Sequence, residues 1–80
     1  MAKKSANVFP GLAAQMAFRY HDNYTLASVL GISYDSVLRR LSGDVEFELS
    51  EIKTLMKEYS ASFENLFGTV SYKMNDGNLK

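Results

Sequence analysis

The sequence has no cysteine and no tryptophan, one proline and one histidine. Without thiols, no disulfide can staple the fold and no thiolate metal site can be built. A cysteine-free small domain suits a reducing compartment, so the cytoplasm is the expected location. No apolar run approaches the roughly 18 residues that a membrane helix needs. The opening MAKKSANVF carries the paired lysines of a secretory leader, but the stretch up to Arg19 is too short and too mixed for a leader's apolar core. Glycine-rich phosphate loops are absent as well. His21 stands alone at a helix break, with no serine nucleophile set beside it by any motif, and reads as a surface or capping residue. The acids are scattered along helix surfaces. Glu51 and Glu58 with Lys53 and Lys57 read as one solvated face. These absences argue against an enzyme, and no cofactor, metal or small-molecule substrate is expected.

Eighty residues allow one small domain. Net charge is zero, but it is unevenly spread. Residues 1 to 43 carry Lys3, Lys4, Arg19, Arg39 and Arg40 against Asp22 and Asp35, a balance of +3. Residues 44 to 80 carry the opposite balance, −3. Such a domain can turn a basic face to phosphate and keep its rear acidic.

The central stretch TLASVLGISYDSVLRRLSG, Thr25 to Gly43, reads as two short helices around a tight turn. Ala27 is small enough to let them approach. Gly31 ends the first helix, where a left-handed residue costs glycine almost nothing. Ile32 fills the corner and Ser33 caps the next helix. Val37 and Leu41, one turn apart, give that helix a buried stripe. This is the pattern of a helix-turn-helix whose second helix enters the DNA major groove.

Periodicity places the other elements. A helix from about Gly11 to Tyr20 follows Pro10, with Leu12, Met16 and Arg19/Tyr20 along its inner side. Asp22 or Asn23 caps the second helix, which ends at Leu30. The third runs to about Leu41 and stops at Ser42-Gly43-Asp44. Phe47 anchors a linker, and Leu49, Ile52, Leu55, Met56 and Tyr59 mark a fourth helix. Ser62 caps a short fifth that finishes at Phe67-Gly68. The predicted fold is all-α, with a flexible arm at 1–8, a five-helix domain at 9–68 and a tail at 69–80. In that tail Val70, Tyr72 and Met74 alternate with polar residues at strand spacing, which suits a short strand pairing two chains, or a disordered end.

At these residues the chain resembles the Cro and phage-repressor (lambda repressor-like) family. Leu12, Met16 and Ala17 match the core face of its first helix, Phe47, Leu49, Glu51 and Ile52 the start of its fourth, and Phe63, Leu66 and Phe67 its closing helix. Asn23 stands where many relatives have a phosphate-touching glutamine, and Asp35 puts a negative charge at the front of the recognition helix. The resemblance implies a transcription regulator, repressor-like, in a phage or prophage setting, bound to double-stranded DNA as a dimer.

The DNA-binding residues expected on this reading are Ser33, Tyr34, Asp35, Ser36, Leu38, Arg39, Arg40 and Ser42, with Asn23 and Tyr24 from the second helix. Arg39 can fork a guanine and Leu38 can touch a thymine methyl. Ser33 and Ser36 can donate to phosphate near a helix N-terminus. Tyr34 can reach a phosphate or a base edge, and Tyr24 can donate to phosphate or pack on the first helix. Arg40 can lay its methylenes on the core with its head on phosphate. Asp35 must face a cytosine amino group or pair with an arginine. The competing reading is a degenerate helix-turn-helix used for protein contacts, such as an antitoxin or a phage regulatory factor. Zero net charge and Asp35 favour it.

Overall fold

The computed structural model of the protein describes residues 7–71. Five helices follow one another: α1 (Pro10–Phe18), α2 (Asn23–Leu30), α3 (Tyr34–Ser42), α4 (Leu49–Tyr59) and α5 (Phe63–Phe67). The all-α architecture expected from the sequence is the one observed, and the described residues contain no strand.

Local chemistry sets most boundaries. Pro10 opens α1 and needs no partner for its missing N–H. Asp22, Ser33 and Ser62 each accept a hydrogen bond from a backbone N–H in the first turn of α2, α3 and α5. Two helix ends turn through non-glycine residues in the left-handed conformation, Tyr20 at φ 58° and Ser60 at φ 49°. At the first, the His21 N–H returns to the Met16 carbonyl at 2.8 Å; at the second, the Ala61 N–H returns to Met56 at 3.0 Å. The first of these turns ends α1 at Phe18, so the helix does not reach Tyr20.

Leu12, Leu26, Val37, Leu41, Leu55 and Leu66 are closed to solvent and form the centre of the core. Each stabilises the fold by about 1.5–3 kcal/mol relative to an exposed side chain. Helix α1 packs on α5, α2 on α3 and α4, and α4 on α5. The α1–α5 crossing is close: a Cβ built on Gly11 would overlap the Asn65 backbone carbonyl. Phe9, Phe47 and Phe67 meet edge to face at centroid distances of 5.8, 5.3 and 5.4 Å. Phe47 thus holds the α3–α4 linker to the core as expected.

Several face assignments differ from the sequence reading. Ala17, Arg19 and Tyr20 are exposed, because α1 buries only Leu12 and Met16. Leu49 is exposed at the first turn of α4, while Glu51 is buried. Val8, counted with the flexible arm, is also buried. Its N–H donates to the Leu41 carbonyl at 2.9 Å and its own carbonyl accepts the Ser71 N–H at 2.7 Å. Lys3 and Lys4, and the Tyr72 and Met74 of the alternating tail, lie outside the described residues.

Candidate nucleic-acid interface

The α2–turn–α3 unit is built by caps. The Asp22 carboxylate accepts from the Thr25 N–H at 2.8 Å and from the Thr25 hydroxyl at 2.9 Å. The Thr25 N–H, then the hydroxyl, hold that carboxyl below the usual aspartate value. At the other end of α2, Gly31 has φ 71°, and the Ala27 carbonyl accepts both the Gly31 N–H at 2.8 Å and the Ile32 N–H at 3.1 Å. Ser33 then caps α3 by accepting the Ser36 N–H at 3.1 Å, and its own hydroxyl donates to the Ser36 hydroxyl at 2.9 Å. Both serine hydroxyls are therefore engaged with each other in the free protein.

Along α3, Val37 and Leu41 are buried, Ser36, Leu38 and Ser42 are half-buried, and Tyr34, Asp35 and Arg39 are exposed. The Ser42 hydroxyl donates to the Arg39 carbonyl at 3.0 Å and tightens the last turn. Arg39 Nε lies 2.9 Å from Asp35 Oδ2, an i,i+4 ion pair on the outer surface. Tyr34 stacks on Tyr24 across the turn, with centroids 4.1 Å apart and planes 15° apart. Tyr24, expected either to donate to phosphate or to pack on α1, stacks on α3 through Tyr34. Asn23 is half-buried at the start of α2.

Arg40 departs from the expected set. Its side chain is only 12% exposed, and its Nε donates to Glu51 Oε1 at 2.7 Å. Its Nη1 reaches the Ser36 carbonyl at 3.4 Å. The same Glu51 oxygen accepts the Glu48 N–H at 2.9 Å, at the start of α4. The guanidinium expected on phosphate thus bridges α3 to α4 from beneath. Glu51, read as part of a solvated face, is the buried anion that balances it.

The inner side of α3 is accordingly fixed by Val37, Leu41 and the Arg40–Glu51 pair, and its outer side is left to Tyr34, Asp35 and Arg39. The sequence profile of the BetR domain matches residues 11–77, nearly the whole of the chain. The chain belongs to the BetR domain family. BetR domains are small, helical, helix-turn-helix-like DNA-binding domains of regulatory type. No curated protein and no solved structure matches the chain.

The end of this BetR domain that carries His21 holds a second cluster. His21 Nδ1 lies 2.8 Å from the Tyr59 hydroxyl, so the histidine read as a surface or capping residue is half-buried and hydrogen-bonded. Arg19 sits 5.6 Å over the Tyr59 ring and donates to the Glu58 carbonyl at 3.2 Å. Burial pushes the Tyr59 hydroxyl up to about 12; Glu58 adds to the shift and Arg19 opposes it. No described helix is long and apolar enough to cross a membrane.

Proposed function

We propose that this BetR domain binds double-stranded DNA sequence-specifically with α3 in the major groove, and that it regulates transcription as a repressor-like, phage-type factor in the cytoplasm. It acts by binding and carries out no chemistry. The observation that carries the reading is the division of α3 into a pinned inner face and an outer face bearing Arg39, Asp35 and Tyr34. A helix held this rigidly can present side chains to base edges at fixed spacing. Ser33, Ser36 and the half-buried Ser42 line the helix where phosphates would pass, and Asn23 and Tyr24 flank it from α2. One copy offers few cations, so useful affinity calls for two copies on half-sites about one helical turn apart.

A protein-interaction module is the second reading. It is favoured by the Asp35–Arg39 pair, which neutralises the outer face, and by zero net charge. Fluorescence anisotropy with a random duplex between about 50 and 200 mM salt separates the two, because phosphate contacts make affinity fall steeply with salt. Selection from a random duplex pool then defines the site, and Arg39→Ala should relax preference at one base pair. Equal loss by Arg39→Ala on selected and random DNA would reduce Arg39 to a phosphate contact.

A further inference from the structure

We infer that Asp35 is a positioning residue that aims Arg39 at its base, and that it lowers affinity for DNA in general while sharpening discrimination. The inference rests on the DNA-binding reading above. Asp35 is in the first turn of α3, where the helix dipole favours an anion, and its short side chain has few rotamers. Arg39 is one turn further on, on the same face. The contact falls at Nε, which leaves the terminal Nη1 and Nη2 for the end-on fork that reads guanine. Neither terminal nitrogen has a hydrogen-bond partner among the described residues.

Both side chains are more than half exposed, 62% for Arg39 and 70% for Asp35. In water such a pair is weak and screened. Pressed into a groove it loses that screening, and the carboxylate then holds the long arginine side chain in one orientation. The same carboxylate approaches phosphates of every sequence and repels them all. That repulsion is offset only where the Arg39 fork meets its two acceptors. Asp35 thus penalises each duplex alike, and the correct base pair alone recovers the loss.

The test uses the full chain and five proteins: wild type, Asp35→Asn, Asp35→Glu, Arg39→Ala and the double variant Asp35→Asn/Arg39→Ala. Each is put through random-pool selection and anisotropy on the selected and a random duplex. Asp35→Asn should bind random duplex about two- to fivefold more tightly, because one repelling charge is gone. It should lose about tenfold in discrimination at the base pair that Arg39→Ala also relaxes. In the Arg39→Ala background it should cause no further loss of discrimination. Asp35→Glu should restore the preference, since a glutamate one turn before an arginine also pairs. Relaxation at a different base pair would mean that Asp35 reads its own base and would overturn the inference. A parallel fall on all DNA would reduce Asp35 to a structural role. Wild-type protein with no preference for any duplex would instead overturn the DNA reading itself.

Discussion

Glu51→Ala should cost this domain a large part of its stability. Glu51 is 7% exposed, and one of its oxygens serves two donors, Arg40 Nε at 2.7 Å and the Glu48 N–H at 2.9 Å. Truncating one partner of a buried ion pair costs about 3–5 kcal/mol, because the other charge is left buried and unpaired. Here Arg40 keeps a 3.4 Å contact to the Ser36 carbonyl and a 4.0 Å approach to Glu48, which points to the lower end of that range. The orphaned Glu48 N–H adds about 1 kcal/mol. A loss near 3–4 kcal/mol is a quarter or more of the stability of a domain this size, at about 0.05–0.15 kcal/mol per residue. At about 4–8 °C per kcal/mol, the midpoint should fall by roughly 12–30 °C. Thermal unfolding followed by circular dichroism at 222 nm measures it. Glu51→Gln retains an acceptor for the cap and removes only the charge, so it should lie between wild type and alanine. The double change Arg40→Met/Glu51→Leu should recover most of the loss by substituting apolar contact for the pair. A midpoint within about 4 °C of wild type for Glu51→Ala would refute the reasoning and return Glu51 to the solvated face.

Gly11→Ala should destabilise by about 1–3 kcal/mol in urea unfolding, because the added methyl meets the Asn65 backbone and not a side chain that can swing away. Gly31→Val should cost more than ~1 kcal/mol through its left-handed φ alone. The site has open space around it, so Gly31→Asn should be nearly neutral. Tyr59 titrates high in the folded state, so the stability it contributes is complete below its ordinary value of 10 and is lost as pH rises toward about 12. In a tyrosinate absorbance titration one of the five tyrosines should lag, and the lag should vanish in Tyr59→Phe.

The parts of this fold that were readable in the sequence are those set by one or two adjacent residues. Asp22, Ser33 and Ser62 cap because their side chains compete for nearby backbone N–H groups. Gly31 ends α2 because its φ is available to glycine at little cost. The central stripe of Val37 and Leu41 follows from helical period alone. The misreadings share a different cause. Arg40 and Glu51 are eleven positions apart, each ordinary on an exposed helix, and only the packing of α3 on α4 makes them partners. The spacing of Glu48 and Glu51 resembles a capping box, and that was a usable signal for Glu51. Arg19 and Tyr20 fell on the wrong face because α1 ends at Phe18, before it reaches them, whereas Leu49 opens α4 as expected but stands exposed in its first turn. Gly11 gave no signal, since a close helix crossing is a property of two segments far apart in the chain.

Val8 joins three distant parts of the chain: its N–H holds the last turn of α3 and its carbonyl holds Ser71. The backbone at the two ends of the described residues therefore lies side by side, at Val8 and Ser71. In topological terms the described residues form a ring with a single seam, and the seam lies at the C-terminal end of α3. A circular permutant that joins residues 7 and 71 and opens the ring at the exposed 44–46 segment should therefore keep every helix beside its present neighbours.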